Sequence, residues 1–316
     1  MHAVKADLQS VSSLAGDLTA AMKQVIEGKD DVVDVAVTTL LAGGHLLLED
    51  VPGVGKTTLA KTLARAIGAP MRRIQFTPDL MPSDVTGVSI FDPETREFRF
   101  RPGAIFATVV VCDEINRATP KAQSAVLECM EEAQVTVDGQ TYGLDAPFFV
   151  VATQNPLEME GTYPLPEAQR DRFMARLSMG YPSTEAEMAL LDHHGAGSTL
   201  GDLTPVTNPA AVAAAIEAVG EVYASESLRR YIVDIVRATR SHGDLRLGAS
   251  PRAGLHLLRA ARSRAAMRGR EHVLPDDVQA LAVPVLEHRL LLSSAGRLSH
   301  SSTGEALMSL LGRVTP

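Results

Sequence analysis

A lysine and a threonine, Lys56 and Thr57, follow Pro52-Gly53-Val54-Gly55 and precede Thr58. The apolar run Leu46-Leu47-Leu48 leads into this segment, and a helical pattern follows it. A strand, a glycine-bearing loop, Lys-Thr and a helix together form the layout of a phosphate-binding loop. Glycines let backbone N–H groups close around phosphates, and the helix N-terminus adds the positive end of its dipole. Lys56 is placed to meet the β- and γ-phosphates of a nucleoside triphosphate such as ATP, and the Thr57 hydroxyl to ligate Mg²⁺. One position departs from the usual pattern: Asp50 stands where the first glycine is expected. A carboxylate facing the triphosphate would repel it, so Asp50 is expected to point away.

Two further segments end in residues able to act on a phosphate. Val109-Val110-Val111-Cys112 runs into Asp113-Glu114. A short apolar run of this kind reads as a buried parallel strand with two carboxylates at its C-terminal edge. Ligands of open α/β sheets bind at that edge. Asp113 would hold Mg²⁺ through water, and Glu114 would orient the water that attacks the γ-phosphate. The plainer alternative is an acidic strand end facing solvent. Phe148–Gln154 is a third apolar strand, and Asn155 ends it before Pro156. A neutral amide there could hold the attacking water or the γ-phosphate, or could simply form a turn.

The elements that must position these groups are legible in outline. Strands are expected near 45–49, 72–76, 109–113, 148–153 and 176–180, with helical stretches between them. This alternation implies a parallel sheet covered by helices on both sides. In the helix from Thr57 to Ile67, Leu59, Leu63 and Ile67 form one apolar stripe, and Gly68 and Pro70 end it. Thr119-Pro120 opens another helix with a cap and a proline at its first position. Residues 79–103 and 134–142 interrupt the pattern, and Asp138-Gly139 signals a type I′ hairpin. These inserts are read either as decoration or as substrate-facing elements.

Residues 1–24 read as a helical lead-in, and a break falls at Tyr181-Pro182-Ser183. Beyond it helices are expected at 184–194, 208–222, 226–241, 251–268 and 276–289, with a short one at 304–312. The expected fold class is an αβα nucleotide-binding core over 1–182, then an all-α lid with a C-terminal tail over 183–316.

Composition narrows the function classes. The 316 residues suffice for one large or two ordinary domains, and 45% apolar residues suffice for a core. Tryptophan is absent and aromatics are only 4%, so stacking platforms for single strands are scarce. A net charge of −8 argues against a dedicated nucleic-acid binder. Residues 224–300 nevertheless carry 13 Arg and no Lys against 7 acidic residues. That region reads as a solvated helical surface with intersubunit ion pairs, or else as a phosphate-backbone tract. Cys112 and Cys129 read as buried hydrophobes in a reducing compartment, without zinc spacing. His193-His194 reads as a surface pair. No charged-then-apolar leader is seen and no apolar run approaches the ~20 residues that span a bilayer, so a cytoplasmic location is expected.

Several blocks in order carry a family resemblance. They are Val25-Ile26-Glu27-Gly28, Glu49–Thr57, Phe100–Phe106, Asp113–Ala118, Ala152–Pro156, Leu165–Gln169 with Asp171-Arg172-Phe173, and Gly248–Ala253. Over residues 20–292 the chain resembles the AAA+ ATPases and, within them, the MoxR family. The resemblance implies Walker A roles for Lys56 and Thr57, Walker B roles for Asp113 and Glu114, and sensor 1 for Asn155. It implies that Arg172 is an arginine finger acting on a neighbour's ATP, with Arg170 a solvated charge beside it, and that Arg252 is sensor 2. Ile26 and Gly28 fall where the family packs backbone against adenine. The implied protein is a homo-oligomeric, hexameric ring that remodels a client protein with a von Willebrand A-domain partner. A DNA-translocating motor and a metal-chelatase motor subunit are the alternatives.

Overall fold

A computed structural model describes residues 2–156, 162–184, 187, 188 and 199–315. The expected helix at 184–194 falls largely outside the described residues, and His193 and His194 do so entirely. The strands of the first half, in chain order, are β1 (Leu46–Glu49), β2 (Met71–Gln75), β3 (Gly87–Asp92), β4 (Glu97–Pro102), β5 (Val109–Asp113), β6 (Gln134–Val137), β7 (Gln140–Gly143), β8 (Phe149–Gln154) and β9 (Ala175–Leu177). Five of them form one sheet in the order β2-β5-β8-β1-β9, and every pairing in it is parallel. All five expected strands are present. The last ends at Leu177, because Ser178 and Gly180 instead bond to Asp50.

Side chains of the central strands alternate between two apolar layers, as strand geometry requires. Leu46, Leu48, Val109, Val111, Phe149 and Val151 face one layer. Leu47, Val110, Cys112, Val150 and Ala152 face the other. The first layer holds helices His2–Lys23, Asp30–Leu41 and Lys56–Ala66, with Leu59, Leu63 and Ile67 as the expected stripe. The second holds the helix Pro120–Glu132 through Ala122, Val126 and Leu127. The two inserts are antiparallel hairpins, β3–β4 and β6–β7. Asp138 and Gly139 both have positive φ, 51° and 78°, as the type I′ turn demands.

The later helices, Pro209–Gly220, Glu226–Ser241, Pro251–Met267, Pro275–Leu286 and Thr303–Leu311, join the first apolar layer rather than standing apart. Helix His2–Lys23 bridges them, touching both Pro209–Gly220 and Pro251–Met267. Arginines complete the attachment. Arg259 donates to the carbonyls of Ala42 and Gly43, and Arg262 to that of Gly220. Both meet carbonyls left unpaired at helix C-termini, where a cation is favoured. Arg264, Arg268 and Arg270 surround the fully buried Asp277. Part of the arginine excess in 224–300 is therefore committed to internal partners, while Arg229, Arg230, Arg237, Arg246 and Arg297 are exposed, as a solvated helical surface requires.

His45 stands just before β1 and is buried. Val150 N donates to its Nδ1 at 3.1 Å, so the ring proton resides on Nε2, which donates to Met130 O at 2.9 Å. Burial, reinforced by the nearby Arg259 charge, outweighs the Met130 bond and lowers the pKa to about 4. Burial and the Arg289 charge lower His256 to about 3. Between pH 6.5 and about 4 the unfolded chain takes up protons that these rings refuse. Their stability contribution is whole above pH 6.5 and is lost as pH falls through that window, by on the order of 3 kcal/mol for His45. Urea midpoints should fall from pH 7 to pH 4.5, and His45→Gln should flatten part of that slope. An unchanged slope in the variant would contradict the assignment.

Candidate active site

Backbone conformation shapes the loop between β1 and the helix Lys56–Ala66. Gly53 and Gly55 have φ of 84° and 94°, values a side chain would strain. No side chain caps the helix, so its first N–H groups are left for an anion. Lys56 Nζ donates to the carbonyls of Asp50 and Val51 at 2.6 and 2.8 Å, bending back over the loop. Burial lowers its pKa, while Asp50, Asp113 and Glu114 pull it back up. Pro52 and Gly53 are exposed, Val54 and Thr58 half-buried.

Asp50 does point away from the loop interior. Its carboxylate accepts Val51 N at 2.8 Å, Ser178 Oγ at 2.8 Å and Gly180 N at 2.6 Å. Burial raises its pKa, but these bonds outweigh burial and the net shift is downward. Asp50 thus staples the loop to the segment after β9. Lys29 Nζ donates to Tyr181 O at 2.8 Å, so residues 26–29 join the same wall. There Ile26 is buried, and Gly28 has a φ of 68° with open space beside it.

At the C-terminal ends of β5 and β8 the expected residues converge. Thr57 Oγ1 lies 3.4 Å from both carboxylate oxygens of Asp113. One hydroxyl facing one carboxylate fits Mg²⁺, which takes few protein ligands and keeps water and phosphate for the rest. No cluster of three or more metal-ligating side chains exists among the described residues. Thr153 Oγ1 donates to Asp113 at 3.2 Å and accepts Glu114 N at 2.9 Å. Asn155 is buried directly after β8. Glu114 has a left-handed φ of 57°, an uncommon state for a non-glycine that turns the chain sharply out of the strand.

Several contributors escaped the sequence reading. Arg73 Nε meets Asp113 at 2.5 Å. Gln75 Nε2 and Arg117 Nε each meet Glu114 Oε2 at 3.1 Å. The turn after Glu114 is held by buried Gln123, whose amide donates to Ile115, Ala118 and Tyr163 carbonyls. Arg73 and Gln75 sit on solvent-facing strand positions and carry no spacing signal. Arg117 was visible within Asp113–Ala118, but its partner was not.

Arg172 and Arg252 are not part of this constellation. Met174 N donates to His45 O, so Arg172 lies at the edge where β1 begins. The loop lies where β1 ends. From His45 to Asp50 an extended strand covers about 17 Å. Arg172 Nε pairs with Glu131 at 3.3 Å, and Arg252 pairs with the same carboxylate. Arg170, read from sequence as a solvated charge, has its Nε buried, because its short helix packs against Glu287–Arg289.

Two substitutions test the loop. Lys56→Ala removes its ammonium group and should abolish ATP binding in calorimetry. Asp50→Ala frees the segment after β9 and should weaken ATP by roughly tenfold, since charge-assisted bonds are worth about 1.5–3 kcal/mol each. Unchanged affinity in either variant would contradict the corresponding role.

Comparison with known proteins gives the same picture. Residues 45–175 match the ATPase family associated with various cellular activities (AAA), and residues 237–307 match the AAA lid domain. An uncharacterised Bacillus subtilis protein, YeaC, is 50% identical over 90% of this chain and 89% of its own. Chaperone MoxR1 of Mycobacterium tuberculosis is 42% identical over 86% of this chain and 74% of its own. A crystal structure from Cytophaga hutchinsonii, described as that of a candidate ATPase, superposes with a TM-score of 0.90 at 34% identity, covering 100% of this chain and 98% of that one. Matched along most of its length by a MoxR relative, with both AAA elements in order, this chain belongs to the MoxR family of AAA+ ATPases.

Proposed function

We propose that this protein is an ATP-hydrolysing chaperone that works as a homo-oligomeric ring, with each active site completed by a neighbouring subunit. The observation that carries this reading is the division of the charged groups between the two edges of the sheet. Lys56, Thr57, Asp113, Glu114 and Asn155 gather where the strands end, while Arg172 and Arg252 gather where they begin. A protomer cannot bring its own Arg172, fixed where β1 and β9 begin, to its own γ-phosphate without taking the sheet apart. A neighbour can.

In this reading Pro52, Gly53, Val54, Gly55, Lys56, Thr57 and Thr58 form the triphosphate cradle, with Ile26 and Gly28 at the adenine. Lys56 leaves the Asp50 and Val51 carbonyls for the phosphates. Thr57 and Asp113 hold Mg²⁺, which, when bound, neutralises phosphate charge. Arg73 must release Asp113 for that to happen. Glu114 orients the attacking water, and this requires it to leave Gln75 and Arg117. Asn155 positions the water or the γ-phosphate. The two hairpins face the client, and a von Willebrand A-type protein is the partner that the family resemblance supports. The proposed division places the core in 1–182 and the lid in 183–316, and the ring is hexameric and cytoplasmic.

Mixing variants tests the shared site. Arg172→Ala should bind ATP and hydrolyse it poorly, by roughly 10³-fold or more where such fingers act. Lys56→Ala should not bind it. Mixed rings contain interfaces that pair an intact loop with an intact arginine, so activity should partly return. Mixed rings that stay inactive would sink the trans reading. Glu114→Gln should bind ATP without turning it over, and proteins retained on it in ATP but released in ADP would be clients. DNA retained instead would favour a translocating motor.

A further inference from the structure

Two guanidinium groups converge on one carboxylate at the edge where the strands begin, and one of them, Arg252, like the carboxylate itself, stands where its helix disfavours it. Arg252 is the second residue of the helix Pro251–Met267, at the positive end of that dipole. Glu131 is the penultimate residue of the helix Pro120–Glu132, at the negative end of that one, and no basic residue occupies its last turn. Local helix electrostatics therefore oppose both residues. Their pairing compensates: Arg252 Nη2 meets Glu131 Oε1, and Arg172 Nε meets Glu131 Oε2 at 3.3 Å.

Among the described residues, no other carboxylate in contact with the pair is free to serve it. Asp171 lies 4.0 Å from Arg252, but it already accepts Arg289 Nε at 2.7 Å and Ser250 Oγ at 2.8 Å. With Asp171 matched by Arg289, the remaining group is two cations and one anion. The two oxygens of Glu131 each face one guanidinium, as two oxygens of a phosphate would. All three side chains keep between 31% and 41% of their surface exposed, so the contact is open to replacement from outside.

We propose that Glu131 is a built-in occupant of the anion site formed by Arg172 and Arg252, and that the γ-phosphate of a neighbouring subunit's ATP displaces it when the ring closes. This rests on the reading that both arginines serve the neighbour. Before assembly Glu131 keeps two like charges together and aligned. During assembly it competes with the incoming phosphate. ADP lacks the γ-phosphate and cannot displace it, so the competition couples subunit association to the nucleotide present.

The test measures self-association by sedimentation in a Glu114→Gln background, which holds ATP unhydrolysed. Adding Glu131→Gln keeps size and one accepting oxygen but removes the competing charge. The association midpoint with ATP should fall to a roughly five- to tenfold lower protein concentration, as expected for two partly exposed ion pairs. The shift should shrink at high salt, where such pairs are screened. With ADP the midpoint should stay or rise. No shift with ATP, or an equal shift with both nucleotides, would overturn the proposal. Arg172→Ala in the same background is the control on the underlying reading. If it leaves ATP-driven association intact, the neighbour reading itself fails, whatever Glu131→Gln does.

Discussion

The polarity of a parallel sheet governs this molecule. Because β1, β5 and β8 all run the same way, their C-terminal ends share one edge and their N-terminal ends the other. Hydrogen-bonding geometry allows no shortcut between the two edges: β1 is only four residues long, yet extended. Lys56, Thr57 and Asp113 at one edge and Arg172 at the other therefore stay apart in any conformation that keeps the sheet. That separation is what the proposed shared site rests on. It also explains why the isolated chain must supply its own counter-charge at each edge. Arg73 does so for Asp113, and Glu131 does so for Arg172 and Arg252.

The arginine edge is held by one buried node. Arg289 is 4% exposed and donates to Asp171, to the carbonyls of Phe173 and Met174, and to His256. Asp171 in turn accepts Ser250 Oγ, and Ser250 also caps the helix that carries Arg252. A buried cation with all its donors matched costs little once formed, whereas breaking one side of it is expensive. Arg176 adds a second tie, between Glu49 and Glu287. The consequence is mechanical. Arg172 and Arg252 come from segments far apart in sequence, yet both are anchored to Asp171 and its neighbours. They are held as one unit.

How much of this the sequence revealed follows from the range of each interaction. The loop, the acidic strand end and Asn155 are contiguous blocks, so their residue types and order identified them. The strands and the Leu59, Leu63, Ile67 stripe came from periodicity, which is local. Contacts between distant segments left no such trace. Nothing in the spacing of Arg73, Gln75 or Arg117 names Asp113 or Glu114 as partners. Asp50 could be read as a departure from pattern, and the sign of the repulsion correctly turned it outward. Its bonds to Ser178 and Gly180 were invisible, and they also shortened the expected last strand. Glu131 did carry a faint local signal, an acid at a helix C-terminus, but only pairing with Arg252 gives that signal meaning.

The arginine-rich region shows why charge counts alone mislead. A run of 13 Arg in 77 residues would ordinarily suggest a surface for phosphates. Here Arg240, Arg259 and Arg262 spend donors on backbone carbonyls, Arg270 on Asp277, and Arg289 on Asp171. Guanidinium groups suit this work because their planar fork reaches several acceptors at once and is weakly hydrated. Two of these contacts, through Arg259 and Arg289, join the later helices to other parts of the chain, and a third, through Arg262, joins two of those helices to each other. Part of the positive charge thus fastens the later helices to the rest of the chain. Arg229, Arg230, Arg237, Arg246 and Arg297 remain on the exposed surface, and what sets Arg252 apart from them is that it shares one carboxylate, Glu131, with a second guanidinium, that of Arg172.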